Sequence, residues 1–252
     1  MNLDQFESGD SIIHKLDPRV RISIAALISI AAALSNHLGI ITVYLILSIS
    51  LVFLAQFSPR QIKDRLKPLL WFLIMIWIFL PLTFTKDIVF TWGWISISKA
   101  GILLSLQISL KAISILLIFS ALVITMPVAV LGAGLHHLKV PDKLVFLLLM
   151  TYRYIAVIHE EYQRLLRAAR FRGFKPRTNL HSYKTFAYLA GMLFVRASFR
   201  ARRVYQAMLC RGFNQRFYTL DEYEPFKLNS VFFYIMAAIG ISLILIERLL
   251  PF

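Results

Sequence analysis

Apolar residues run almost unbroken from Ile22 up to Asn36 and again from Ile40 to Phe57, with a charge-free turn at His37 and Gly39 between them. A bilayer crossing takes about 20 apolar residues, so the second run suffices by itself and the first needs His37 and Gly39 at the far interface. Together they predict a tight hairpin. It is opened by His14-Lys15-Leu16-Asp17-Pro18-Arg19-Val20-Arg21, in which Asp17 can cap a helix whose first position is Pro18. Ser58 to Lys67, with Arg60, Lys63, Arg65 and Lys67, reads as a basic return loop, and Leu69 to Thr85 as a third span. A loop from Lys86 to Lys99 carries Trp92 and Trp94, indoles of the kind that settle at the lipid boundary. The fourth span runs from Ala100 to Thr125, interrupted by Lys111, and a last one from Leu228 to Ile246.

Between the fourth span and the last, the pattern changes to long helices of mixed composition. Leu144 to Tyr152 and Thr185 to Val195 are apolar, but Lys143 with Arg153 and Lys184 with Arg196 bracket only nine and eleven uncharged residues, too few to cross. We read three helical pieces: a short one after Pro127, a second after Val140-Pro141 to Arg172, and a third from Asn179 or His181 to Arg211. The two long ones have about thirty residues each, or roughly 45 Å. Gly191 within the third predicts a close crossing of two helices at that point.

Composition sharpens this into a class. With 58% hydrophobic and 16% charged residues in 252, and a mean hydropathy of +0.69, the chain reads as an all-α integral membrane protein. The net charge of +15 is unevenly spread: residues 127–228 hold 17 Lys or Arg against six Asp or Glu. A basic block of this kind faces anionic lipid or an acidic protein surface, and no nucleic-acid module accompanies it. Lys15, Arg19, Arg21, Arg60, Lys63, Arg65 and Lys67 lie on one side of the spans, against Lys86, Lys99 and Arg248 on the other. The positive-inside rule then puts the amino terminus and the basic block in the cytoplasm and the carboxyl terminus outside. Asp4, Glu7 and Asp10 stand where a signal peptide has its basic region, so no cleaved leader is expected. The domains expected are 1–126 with four spans, 127–227 in the cytoplasm, and 228–252 as the fifth span.

One short pattern occurs twice, 39 positions apart. Arg167-Ala168-Ala169-Arg170-Phe171-Arg172-Gly173-Phe174 aligns with Gln206-Ala207-Met208-Leu209-Cys210-Arg211-Gly212-Phe213. In each copy an arginine complements the negative end of a helix dipole and a glycine follows where a left-handed residue is wanted. Singly, each is an ordinary glycine stop. As a pair they suggest two arginine-tipped ends offered to matching grooves on a partner.

Sites for chemistry are otherwise scarce. None of the ten glycines is followed by Lys and then Ser or Thr, so no phosphate loop is present, and Gly132-Ala133-Gly134 has His137 where a dinucleotide loop needs glycine. His159-Glu160-Glu161-Tyr162-Gln163 lacks the second histidine of a zinc helix. His136 and His137 point to different faces, and the single Cys210 excludes an internal disulfide or a cysteine cluster. No cofactor and no metal site are therefore expected. Glu160 and Glu161 are read as partners of nearby basic residues such as Arg164. Lys111, a cation inside a span, either faces a partner subunit or a polar path, or finds a carbonyl. Arg196, Arg200, Arg202 and Arg203 either meet lipid headgroups or line a partner interface.

The Leu16-Asp17-Pro18-Arg19-Val20 opening, the order of four spans, helical block and one span, and the paired Arg-Gly-Phe ends resemble the T component of energy-coupling factor transporters. The likeness is to its CbiQ branch from cobalt uptake systems, and it covers nearly the whole chain. The resemblance implies a non-catalytic coupling subunit with two long crossing cytoplasmic helices. It implies two ATP-binding cassette ATPases as partners, a CbiM-like substrate-binding membrane subunit, and a small CbiN-like accessory subunit. It assigns ATPase docking to Arg172 and Arg211, with Phe171, Gly173, Phe174, Cys210, Gly212 and Phe213 around them; Phe171 and Cys210 replace the alanines of the family pattern. Cobalt is the implied cargo, with nickel or a vitamin as alternatives. A polytopic membrane enzyme acting on lipids, or a permease half of another ABC system, would be the rival classes.

Overall fold

The computed structural model describes residues 16–56, 59–83, 88–92, 95–213 and 227–249. Asp17 starts the first helix as its sequence requires: its Oδ1 accepts the Arg19 N–H at 2.9 Å and Pro18 takes the first position of α1 (Pro18–Leu34). After the extended turn at Ser35 comes α2 (Leu38–Leu54), which stops sooner than the apolar run because Gln56 turns left-handed, at φ 56°. The third helix, α3 (Pro59–Thr83), begins inside the segment expected to be a loop. Ile62, Leu66 and Leu69, at helical spacing, are half-buried, while Lys63, Asp64 and Lys67 face out. The basic run is thus the solvated side of an amphipathic start, with Lys67 and Asp64 paired one turn apart.

An antiparallel hairpin follows, β1 (Ile88–Trp92) and β2 (Ile95–Ser98), a small departure from an otherwise helical chain. Its Ile, Val and Phe residues around a glycine carried that signal. The boundary role expected of Trp92 and Trp94 falls outside what is described. Ser98 then caps α4 (Lys99–Leu122), and α5 (Val128–His137), α6 (Asp142–Phe171), α7 (Leu180–Cys210) and α8 (Lys227–Leu249) complete the order.

Two compact units result: residues 1–134 with 222–252, and residues 135–221. In the first, α4 packs against α1, α2 and α3, and α8 lies along α1. The core joins Ile24, Ile28 and Ala32 of α1, Tyr44 and Leu51 of α2, and Ile118 and Leu122 of α4. Small and hydroxylated residues fill the tightest places, with Ala25, Ser48, Ser105, Ser114 and Ala121 fully buried. Large apolar side chains point outward instead; Trp71 of α3 is 80% exposed and Phe53 of α2 78%. Such a distribution, small inside and large apolar outside, is how helices associate in lipid. Ile62–Thr83 and Lys99–Leu122 are long and apolar enough to cross a membrane, whereas Leu38–Leu54 and Val231–Glu247 are shorter apolar helices.

Two cations tie this unit together from opposite ends of an antiparallel pair. Arg21, 3% exposed, donates from Nε to the Leu122 carbonyl at 3.0 Å and also bonds the Thr125 hydroxyl, closing the carboxyl end of α4. Lys111 reaches from α4 to the end of α1, with Nζ 3.1 Å from the Ala33 carbonyl and 3.4 Å from Asn36 Oδ1. Lys111 thus finds a carbonyl within its own chain.

Glycine is used elsewhere than expected. A side chain at Gly191 would meet nothing within 4 Å, so no helix of the described residues crosses closely there. At Gly101 a Cβ would lie 2.7 Å from Pro81 Cα and 2.9 Å from the Leu80 carbonyl, so it is there that α3 and α4 touch backbone to backbone.

Candidate functional site

The second unit is built on α6 and α7, which lie antiparallel. Asn179 caps α7 by accepting the Ser182 N–H at 2.9 Å, and Pro141 precedes α6. Glu161 joins the two helices: it pairs with Arg196 and lies 3.9 Å from Arg200 on α7, and 3.6 Å from Arg164 on its own helix. The hydrogen bond from Arg196, then the charges of the surrounding arginines, hold the Glu161 carboxyl below its usual range. The arginine group therefore divides, with Arg196 and Arg200 engaged between helices and Arg202 and Arg203 exposed. Between the helices runs a groove of about 470 Å³, lined by Met150, Tyr154, Ile158, Ala197, Val204 and Met208 among others.

Both copies of the repeat end their helix in the same way. After α6, the Gly173 N–H donates to the Arg170 carbonyl at 3.0 Å and the Phe174 N–H to Ala169 at 3.1 Å. After α7, Gly212 donates to Leu209 at 3.0 Å and Phe213 to Met208 at 3.1 Å. These are two complete Schellman stops, and Gly173 and Gly212 take the left-handed φ of 85° and 77° that such stops require. In each, the arginine is the cap residue just after the last helical position and is exposed, and so is the residue before it: Phe171 is 91% exposed, and Cys210 is an exposed free thiol.

The closing phenylalanines do different work. Phe174 turns onto α7, edge-on to Phe186 at 5.6 Å, and Phe213 turns onto α6, 5.3 Å from Phe146. Each helix end is thereby pinned to the opposite helix. The same contacts keep the two arginines apart: Arg211 sits beside the start of α6, and Arg172 is 26 residues beyond Phe146. At 1.5 Å per residue, the two ends are roughly 40 Å from each other. The eight residues singled out in the sequence lie as two like groups at the two ends of the α6–α7 hairpin. Lys111 belongs to neither, since it lies in the first unit.

Sequence reasoning missed two contacts of this region. The pairing of Glu161 with Arg164 is present, but its partners on α7, Arg196 and Arg200, were not foreseen, because helical spacing shows the partner three or four residues away and is blind to α7. His136 pairs with Asp142 at 2.8 Å across the α5–α6 turn, a contact no periodicity reveals. Among the described residues no three His, Cys, Asp or Glu side chains converge to hold a metal.

A family model described as CbiQ, cobalt transport protein, matches residues 9–219, a stretch that takes in α1, α4 and both arginine ends. A protein of Brevibacillus brevis named energy-coupling factor transporter transmembrane protein EcfT is 27% identical over 223 residues, 84% of either chain. Proteins of the same name are 25% identical in Bacillus subtilis over 224 residues and 28% in Macrococcus caseolyticus over 230, again with 84% of each chain covered. The chain therefore belongs to the CbiQ family of non-catalytic transmembrane transport proteins.

Proposed function

We propose that this chain is the T component of an energy-coupling factor importer in the cell membrane, and that residues 135–221 are its coupling domain. Two partner ATPase subunits bind it, one at each arginine end, and ATP-driven closure of the ATPase pair moves the ends of the α6–α7 hairpin. That motion is passed to a separate substrate-binding membrane subunit, which takes up and releases the cargo. The observation that carries this reading is the pair of matching, exposed Arg-Gly stops roughly 40 Å apart, a separation suited to two subunits side by side and too wide for one groove.

Arginine suits the task because its planar, permanently charged fork makes paired directional bonds to a carboxylate, while lysine offers a point charge. Arg172 and Arg211 are exposed, so their bonding capacity is available to a partner. Phe171 and Cys210 set an apolar or soft group beside each arginine, in place of the alanine of the family pattern.

The five crossings are assigned to α1, α2, α3, α4 and α8, with the amino terminus and coupling domain in the cytoplasm and the carboxyl terminus outside, on the charge asymmetry of the short loops. Cobalt is the cargo favoured by the family description, with a CbiM-like substrate subunit and a CbiN-like accessory subunit completing the complex. Nickel or a vitamin is the alternative, since cargo choice in this reading resides in the substrate subunit. Purification of the complex with wild-type chain and with Arg172→Ala/Arg211→Ala tests the coupling role. The double variant is expected to reach the membrane, lose its ATPase partners and abolish ATP-dependent uptake. Retained assembly and uptake would overturn the proposal.

A further inference from the structure

The two arginine ends share a backbone conformation and differ in the charge around it. Along the repeat, the first copy carries Arg167, Arg170, Arg172 and Lys175 where the second has Gln206, Leu209, Arg211 and Asn214, so only the arginine before the glycine is kept. Arg177 extends the first run into the α6–α7 turn, and all five of these cations are exposed. Glu160 and Glu161, the acidic residues that precede them, are engaged by Arg164, Arg196 and Arg200. None follows before Asp221. Among the described residues the five cations therefore have no acidic partner. The neighbouring helix sharpens the contrast. Beside the first end, the start of α7 adds Lys184, whereas beside the second the start of α6 adds Asp142 next to Lys143, charges that offset.

The folded chain does not need this excess. The helices have 30 and 31 residues, so their dipoles are alike, yet α7 closes with Arg211 as the one cation at its end. Arg167 and Arg170 stand three apart on one helix, where like charges repel. A cluster that costs the chain stability when it is alone gains its attraction from an anion outside. Phe171 says which kind, being a large apolar side chain 91% exposed among these cations. Aromatic residues and arginines together are what the buried centre of a protein interface is enriched in, while lipid headgroups call for charge alone.

We propose that the two ends dock by different means. The Arg172 end enters an acidic ATPase groove with an apolar pocket for Phe171, held by several charges at once. The Arg211 end enters a groove of little charge, held by its one arginine and by close apolar contact at Leu209 and Cys210. This rests on the coupling role of the two ends. One ATPase subunit is then bound by a contact that salt weakens, and the other by a contact that salt hardly alters.

The test is ATPase binding against salt, with the full chain in phosphatidylcholine nanodiscs. The Arg211→Ala chain retains only the Arg172 end, and the Arg172→Ala chain only the other. Between about 50 mM and about 500 mM sodium chloride, the affinity of the Arg211→Ala chain is expected to fall at least about ten-fold and that of the Arg172→Ala chain less than about three-fold. Giving the first end the residues of the second, by Arg167→Gln/Arg170→Leu/Lys175→Asn in the Arg211→Ala chain, is expected to flatten the response. Lys175→Asn alone, a change outside the helix, is expected to flatten it in part and guards against misfolding of the triple variant. In the nucleotide-free wild-type complex the same salt range is expected to release one ATPase subunit and keep the other. Release of both together or of neither, or equal salt responses of the two single variants, would overturn the inference. The coupling role would still stand if the Arg172→Ala/Arg211→Ala chain failed to assemble. A triple variant that keeps the salt response of ATPase binding, but binds phosphatidylglycerol vesicles less well than its parent, would also overturn the inference, by assigning these cations to the membrane.

Discussion

Glycine shows how far a single residue can be read without its surroundings. Gly173 and Gly212 were legible because the demand on them is local: arginine in the last turn, glycine after it and an apolar residue next describe a stop whose hydrogen bonds all lie within six residues. Gly191 and Gly101 were not, because a helical glycine has the same spacing whether a neighbour presses on it or not. The contrast yields a prediction. Gly101→Ala drives a methyl into the α3 backbone and is expected to cost about 1–3 kcal/mol, whereas Gly191→Ala, in open space, is expected to gain about 0.5–1 kcal/mol of helix propensity. Thermal unfolding of the two variants in detergent, ranked against wild type, checks both signs.

At the scale of elements, boundaries followed chemistry that acts along the chain. Asp17-Pro18, Pro141 and Asn179 each started a helix where a capping or pre-set residue stood. The start of α3 was misread because four cations within eight residues suggest a loop, yet Ile62, Leu66 and Leu69 keep a helical face beneath them. What holds α6 to α7 lay beyond such reasoning, since Glu161 and Arg196 are 35 positions apart. The arginines lower the Glu161 pKa from its usual 4.5, so the stabilisation they share with it is present above that value and is lost as pH falls through the lowered one. Glu161→Gln is expected to lower the melting temperature modestly at pH 7 and to match wild type as the solution is made more acid than the glutamate range. Melting curves across that range check the convergence. A constant gap at all pH values would mean that packing, not charge, joins the helices.

For the whole molecule, two buried or half-buried cations decide how the first unit closes. Arg21→Ala takes the donor from the Leu122 carbonyl and from the Thr125 hydroxyl, which keeps its bond to Ala121, and it is expected to cost about 1–3 kcal/mol; Arg21→Lys, unable to span both acceptors, is expected to recover only part. Expression level and unfolding temperature of the purified chain measure this. The arginine ends act at the same scale, but on a partner. Single Arg172→Ala and Arg211→Ala chains are each expected to unfold like wild type, because neither side chain bears on the folded chain, and each to weaken binding of one ATPase subunit while sparing the other. Subunit stoichiometry of the purified complexes, read by native mass, checks that division; equal loss of both subunits from either single variant would count against independent ends.

The sequence by itself determined the helical class, the helix starts at Asp17 and Pro141, the start of α7 to within Asn179 or His181, and the two Arg-Gly stops, because caps, glycine stops and apolar runs are set by residues within a turn or two of each other. Only the tertiary structure decided that Phe174 and Phe213 pin each helix to its neighbour and so hold Arg172 and Arg211 far apart, that Arg21 and Lys111 close helices they do not belong to, and that Gly101 rather than Gly191 is the point of contact. Those outcomes depend on which surfaces meet across a hundred or so positions of chain, and the spacing of residues along one helix carries no record of what lies opposite.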